Sequence, residues 1–357
     1  MSEPANTSAE RPTLAAVAER AGVSPSTASL AFSGAGPVSD ATKARVLKAA
    51  TELDYAGPDP RAQSLRRGRS GIVGVVLEDS VSEAFRDPMN IATLDGISDA
   101  IAASGSALLL LTDNSEGPAS LNTVPVDAVV LIGCSTKLAG AVQTFRQRGV
   151  PMVGIETEPM DGVLSIDLDN RPATRVLAEH LRELGHSRIA TVTLPLDSAH
   201  SRGWLSPERE ENSEGYTASQ RILGVRDVFP EATGWTASAS TVDEGYRAGL
   251  QIVDVGLDAA TRPTAIVAQS DLLAVGVIRA ATELGLEVPR DLSVVGFDGV
   301  KLDGIAPIDL TTMVQPAFAK GTAAGHGLID LLEGKAVAPR VFGSVFHLGA
   351  TTAPPAG

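Results

Sequence analysis

TLAAVAERAGVSPSTASLAF, residues 13–32, reads as two short helices pinned by a tight turn. Thr13 is placed to cap a helix from Leu14 to Ala21. Gly22 stands where that helix must end, because glycine takes a left-handed backbone without a Cβ penalty. Ser24 then caps a second helix, and Pro25 at its first position has no N–H to leave unpaired. Leu14, Val17, Ala18, Ala21, Val23, Ala28, Ala31 and Phe32 fall on the faces that would meet. Two helices so joined form a helix-turn-helix, whose second helix enters the DNA major groove.

Working outward, a Gly/Pro/Ser loop follows, and Ser39 can cap a third helix from Asp40 to Leu53. Val46, Leu47, Ala50 and Leu53 give it an apolar stripe at helical spacing. GPDP at 57–60 breaks the chain, and RAQSLRRG leads to the first strand. From Gly71 onward strand and helix patterns alternate. Short apolar runs (IVGVVLE, ALLLLT, AVVLIG, PMVGI, RIATVTL, TAIVAQS, LSVVGFD, LTTMV, and a weaker run near 236–242) read as buried parallel strands. Helical patterns lie between them at about 89–103, 138–148, 171–184, 214–228, 244–255, 272–284 and 318–332. Such alternation implies open parallel sheets with helices on both faces. The length exceeds one comfortable sheet, so two lobes are expected. Residues 197–214, polar and irregular, read as a mobile loop.

The net charge of −14 is unevenly spread. Residues 1–70 hold nine lysines and arginines against seven acids, and residues 71–357 hold twenty against thirty-six. A small basic head on an acidic body suits a DNA binder that disfavours non-specific adhesion. Four arginines and no acid occur in residues 61–69, which reads equally as a solvated face or a phosphate contact. The first residues are polar, not a signal peptide, and no run is long enough to span a bilayer. The single cysteine, Cys134, excludes an internal disulfide framework and reads as core. The five histidines show no metal spacing, and GAG at 34–36 follows no strand, so neither a metal nor a nucleotide cofactor is expected.

Taken together, TLAAVAERAGVSPSTAS, VSDATKARVLKAATELDY, SLRRGRSGIVGVV, HLRELGHSRIA, PTAIVAQSDLLAVGVIRAATELGLEVPRDLSVVGFDG and LTTMVQP resemble the lac repressor/gal repressor family of bacterial regulators. The resemblance runs from Thr13 to Leu348. It implies an N-terminal all-α helix-turn-helix head plus an α/β two-lobed body like the periplasmic sugar-binding proteins. It implies a homodimer on a palindromic operator of double-stranded DNA, acting as a repressor under control of a small-molecule effector, sugar-like, in the inter-lobe cleft. The expected organisation is a tail at 1–11, the head at 12–57, a hinge at 58–70, the body at 71–350 and a tail at 351–357. Within the body, lobe one takes 71–168 and 301–328, and lobe two takes 169–300 and 329–350.

For the DNA end, Ser24, Pro25 and Ser26 lie where a recognition helix meets base edges, beside Thr13 at the start of the first helix. Thr27 suits a phosphate, and Ser29 a base or phosphate, although both hydroxyls could instead bond within the helix. The family commonly has Val-Ser-Arg where this chain has Ala28-Ser29-Leu30, and Asn where it has Ser33. Leu30 cannot supply the bidentate contact of arginine to guanine, so the operator should differ there. Arg61, Ala62, Leu65 and Arg66 match the family's hinge helix. Leu65 stands at the position of the leucine that wedges between central base pairs from the minor groove, and Ala62 is small enough for two hinges to meet. A plain basic linker is the alternative.

For the effector end, ligands of two-lobed α/β proteins lie beyond the carboxyl ends of the strands, which selects Glu78, Asp79, Asp271 and Asp298, with Arg221 near the start of a helix. By resemblance Arg221, Ser270 and Asp298 match positions that hold ligand hydroxyls. Asp271 suits a helix cap as well as a ligand, and Arg221 with Asp298 suits a structural ion pair. The family often has Asn where this chain has Ser270, and a second aspartate where it has Gly299. The segment after Asp79 is longer than usual. Phe85, Trp204 and Trp235 are candidates to stack on a ligand. A transport protein would have no use for residues 13–69, and no catalytic constellation supports an enzyme. The end LGATTAPPAG has no heptad pattern, so a dimer is expected and not a tetramer. The expected location is the cytoplasm, at the nucleoid.

Overall fold

The computed structural model describes residues 12–34, 36–59, 63–65, 68–78, 84–112, 120–133, 138–253, 261–301 and 308–356. The chain divides into two units at Ser70/Gly71.

The first unit holds α1 (Leu14–Ala21), α2 (Pro25–Ser33) and α3 (Asp40–Glu52). Each begins on a hydroxyl. Thr13 accepts from the Ala16 amide, Ser24 from Thr27 and Ser39 from Thr42, which pairs donors that a helix start leaves open. Gly22 ends α1 at φ 68°, and the next amide, of Val23, reaches back to the Ala18 carbonyl at 2.9 Å. Val17, Ala18, Ala28, Ala31, Val46, Ala49 and Ala50 form the core, and Phe32 meets Tyr55 edge-on at 5.7 Å. Leu47 departs from the expected stripe: it is exposed, and Ala49 takes the inward position. Residues 63–65 are helical.

The second unit carries two sheets. The first contains β1 (Ile72–Leu77), β2 (Ala107–Thr112), β3 (Ala128–Ile132), β4 (Met152–Ile155) and β5 (Val163–Leu168), in the order β5-β4-β3-β1-β2. Its helices are α4 (Pro88–Ala102) and α5 (Leu138–Gln147). After α6 (Asn170–Glu183) the second sheet is built from β6 (Ile189–Thr193), β7 (Gly203–Trp204), β8 (Thr233–Thr236), β9 (Ala265–Ala268), β10 (Ser293–Asp298) and β11 (Thr311–Val314). Between these strands lie α7 (Pro207–Glu211), α8 (Tyr216–Arg226), α9 (Val242–Ile252) and α10 (Asp271–Glu283). The chain then returns through α11 (Ala317–Leu332), β12 (Arg340–Phe342) and β13 (Val345–His347). All pairings are parallel except β7 with β8 and β11 with β13. Fully buried Val and Ile fill the central strands, as sheets covered on both faces require.

Three crossings join the lobes, and they differ from the expected boundaries. β11 continues the parallel ladder of β10, with Val295 opposite Thr311, so residues 311–314 belong to lobe two. α11 packs against α4, β3, β4 and β5 along its length and stays in lobe one to Leu332. β12 then pairs with β5, so residues 340–342 are also lobe one, and β13 returns to lobe two beside β11. The segment at 163–168, read only as a boundary, is the strand β5, with alternate burial. The weaker run near 236–242 is β8 placed earlier, at Thr233–Thr236. Residues 197–214 are not an irregular loop: they carry β7 on the edge of the second sheet, and α7, capped by Ser206.

Each lobe uses the same device to bring two helices together. A Cβ on Gly96 or Gly321 would collide with backbone of the facing helix in the α4–α11 pair, and Gly245 and Gly276 do the same for α9 and α10. No helix among the described residues is long and apolar enough to cross a membrane.

Candidate functional site

In the head, the start of α2 presents a cluster of hydroxyls. Ser24 Oγ accepts from the Thr27 amide at 3.1 Å and lies 2.9 Å from Ser26 Oγ and 2.8 Å from Thr27 Oγ1. Ser24, Pro25 and Ser26 are exposed, and Thr27 and Ser29 are half-buried. Leu30 is 38% exposed, and its side chain leans over Gly36, where a Cβ would lie 3.3 Å from Leu30 Cδ2. Thr13 caps α1. Leu65 is 87% exposed, an unusual cost for a leucine with a full apolar side chain in water. Arg61, Ala62 and Arg66 lie outside the described residues, as do Asp79 and Cys134.

In the body, a cavity of about 190 Å³ lies at the carboxyl ends of strands from both sheets. It is lined by Glu78 and Asp87 from lobe one, by Arg221, Ser270 and Asp298 from lobe two, and by Glu156, Gln315 and Lys320. Leu77, Met89, Ile132, Ile155 and Leu196 supply apolar wall. No phenylalanine, tyrosine or tryptophan lines it among the described residues. Phe85 is exposed, and Trp204 packs edge-on against Trp235 at 5.5 Å over the edge of the second sheet, away from the cavity.

Arg221 is buried at 3% exposure on α8. Its Nε donates to Asn170 Oδ1 at 2.8 Å and an Nη donates to the Gln269 carbonyl. Its guanidinium lies 3.7 Å from the centre of the Phe297 ring, with Asp298 at 3.7 Å and Glu156 at 3.8 Å. Charge inside a protein must be matched in this way or its desolvation is prohibitive. Asp298 accepts from Gln315 Nε2 at 2.6 Å. Burial pushes its carboxyl well above the usual carboxylate range, against the pull of Arg221. Burial also raises Asp87, which caps α4 through the Met89 amide. Glu156 behaves in the opposite way: burial opposes its charge, but Lys320 and Arg221 outweigh that and hold it below the ordinary value.

One of the expected residues needs correction, and another has an added role at the cavity wall. Ser270 is the cap of α10, accepting from Leu273 at 3.2 Å, and Ser240 donates to it at 2.8 Å at the cavity wall. Asp271 does not reach the cavity. Its carboxylate is held under β10 and β11 by Thr312 Oγ1 at 2.6 Å and the Val300 amide at 2.9 Å, in space that Gly296 leaves open. Burial raises it to about 6 despite these bonds. Gly299, where the family has a second aspartate, sits at φ 73° with a would-be Cβ 2.7 Å from Val314, so a side chain there is both strained and blocked.

Glu156, Asn170, Gln315 and Lys320 were not singled out in the sequence. Glu156 follows a strand, as Glu78 does, and Lys320 is a lone cation in an otherwise apolar helical pattern; either was a usable signal. Four described non-glycine residues have a left-handed φ, and three of them, Glu156 (52°), His200 (55°) and Asp298 (122°), line the cavity. Backbone strain concentrates where side chains must be aimed.

Residues 13–57 match the family described as bacterial regulatory proteins, lacI family, and residues 178–348 match the periplasmic binding protein-like domain. The chain is 32% identical over 355 residues to the HTH-type transcriptional regulator IpsA of Corynebacterium glutamicum, covering 96% of this chain and 98% of that one. Among solved structures, the lac repressor dimer bound to operator and the anti-inducer ONPF superposes with a TM-score of 0.76 at 24% identity, covering 96% of this chain and all of that one. The complex of the transcriptional regulator CelR with cellobiose has a TM-score of 0.66 at 25% identity, with the same coverage.

Proposed function

Because this chain belongs to the lacI family of bacterial regulatory proteins and is a DNA-binding regulator of transcription, we propose that it is a repressor whose operator affinity is set by a neutral, hydroxyl-rich metabolite in the inter-lobe cavity. It binds a palindromic operator as a homodimer in the cytoplasm, at the nucleoid. The head spans 12–57, the hinge 58–70 and the effector body 71–350.

One observation carries the ligand class: the cavity lining holds more carboxylates than cations, and both cations are already partnered. Glu78, Asp87, Glu156, Asp197 and Asp298 stand against Arg221 and Lys320, which disfavours an anion. A polyol suits such a wall because each hydroxyl both donates and accepts. The relative CelR, solved with cellobiose, supports the same class. Glu78, Arg221, Ser270 and Asp298 are the contacts we propose, with Asp79 kept from the sequence and Asp271 reassigned to support.

At the DNA end, Ser24, Pro25, Ser26, Thr27, Ser29 and Leu30 face the major groove, with Thr13 on a phosphate. Leu30 offers a thymine methyl what arginine would offer guanine. Leu65 is the minor-groove wedge, with Arg61, Ala62 and Arg66 beside it.

The test is operator affinity measured across a panel of neutral sugars and cyclitols. At least one compound should shift it by about tenfold or more, and Arg221→Lys should lose that response. A panel without effect, alongside a strong response to anionic metabolites, would overturn the ligand class.

A further inference from the structure

Six side chains close into a ring at the floor of the cavity, and two amides hold it together. Asn170 donates through Nδ2 to Glu156 at 3.1 Å and accepts through Oδ1 from Arg221 at 2.8 Å. Gln315 accepts through Oε1 from Lys320 and donates through Nε2 to Asp298 at 2.6 Å. Lys320 donates to Glu156, and Arg221 stands 3.7 Å from Asp298, which completes the circuit. Asn170, Arg221, Lys320, Asp298 and Gln315 are all buried.

The arrangement sorts by lobe. Glu156 directly follows β4 and Lys320 lies on α11, both in lobe one. Arg221 on α8 and Asp298 at the end of β10 belong to lobe two. Asn170 and Gln315 stand in two of the three crossings, Asn170 at the start of α6 two residues past β5 and Gln315 directly after β11. Each amide therefore bonds a lobe-one charge with one end and a lobe-two charge with the other. Backbone amides repeat the tie: the Gln315 amide donates to the Asp298 carbonyl, and the third crossing is joined to the first by the Ser344 amide donating to Asp169 Oδ1 at 2.9 Å.

We propose that Asn170 and Gln315 are positioning residues for the effector response, paired amide bridges that lock the setting of the two lobes. A lobe rotation cannot stretch such a ring gradually. Each bond lost leaves a buried charge or amide unpaired, so the ring is either closed or broken, and it behaves as a two-state element. Five of its members, Glu156, Arg221, Asp298, Gln315 and Lys320, line the cavity, so a bound ligand touches the ring itself and biases its two states by differential contact. An amide suits both bridging positions because one small, uncharged planar group both donates and accepts, without titrating. This proposal rests on the reading that the cavity controls operator affinity.

The test uses the full-length protein without ligand and two near-isosteric variants. Asn170→Asp keeps the acceptor toward Arg221 but cannot donate to Glu156, and Gln315→Met removes both bonds at similar volume. The Asp169 and Gln315 backbone amides, hydrogen-bonded to the Phe342 and Asp298 carbonyls, report on the crossings by hydrogen exchange. Each variant should speed exchange there by about tenfold or more while α9 and α10 exchange as in the parent, and should change operator affinity by about tenfold. Crossings that exchange at the parental rate, or acceleration spread equally over α9 and α10, would overturn the ring. Crossings that loosen selectively while operator affinity holds would instead overturn control by the cavity and leave the ring's hold on the lobes standing.

Discussion

The guanidinium of Arg221 lies 3.7 Å from the centre of the Phe297 ring, and the next residue, Asp298, stands 3.7 Å from the same group. One residue of β10 thus supplies an aromatic face and its neighbour a carboxyl to a single buried cation. A planar group that stacks flat on the ring while donating from a fixed fork is needed, and the compact ammonium of lysine is neither planar nor forked. Arg221→Lys should lower the stability of the body by about 1–3 kcal/mol and abolish the effector response. Thermal unfolding and operator titration check the two parts. A variant with full stability and full response would show that the stacking is incidental.

Leu65 separates specific from non-specific binding. An exposed leucine contributes nothing to phosphate attraction, but a wedge repays base unstacking with the extra contacts of a bent duplex. Leu65→Ala should cost at least about tenfold in affinity for the selected operator and leave random-sequence affinity nearly unchanged. Equal losses on both DNAs, in parallel binding assays at one salt concentration, would refute the wedge.

Gly321 meets Thr93 backbone where α11 crosses α4, with no room for a methyl group. The contact is backbone, so nothing nearby can rotate away. Gly321→Ala should destabilise the body by about 1–3 kcal/mol, read as a lower denaturant midpoint with an unchanged slope. Gly334→Ala gives a useful contrast: its Cβ meets nothing, and only its φ of 76° is strained.

Acid should weaken the protein through Glu244. Burial opposes its charge, but Arg202, Ser238 and Arg247 outweigh that and hold the carboxyl at about 2, below the ordinary 4.5. A depressed folded pKa means stability that is complete above pH 4.5 and drains as pH falls toward 2. Asp271, raised to about 6 from 3.8, has the opposite sign and loses its contribution as pH rises through that window. Glu244→Gln should therefore flatten the stability curve between pH 4.5 and 2 and leave the slope between pH 3.8 and 6 in place. Denaturant midpoints across that range decide it.

The head was legible almost residue by residue, because caps, a left-handed glycine and helical spacing are local signals; Thr13, Gly22, Ser24 and Ser39 all act where the sequence places them. The strands of the body were legible as apolar runs, but their distribution between sheets was not. β12 has only three residues, and nothing in RVF says that it pairs with β5 across a gap of more than 170 positions. The cavity was half legible. Ser270 and Asp298 stand at the ends of regular elements, where strand-end geometry finds them, and Arg221, midway along α8, was found through the family resemblance. Asp271 sits beside them in sequence yet turns under the sheet, since the ends of β10 and β11 need its carboxylate. Asn170 and Gln315 could not be found at all, because their role depends on two crossings meeting in space.

The most direct test of the account is selection of binding sites from a random DNA pool by the purified full-length chain, alone and with a mixture of neutral sugars and cyclitols. The account predicts one palindrome with a flexible central step at the Leu65 position, no guanine at the base facing Leu30, and enrichment that changes when the mixture is present. Failure to enrich a palindrome under either condition would contradict it.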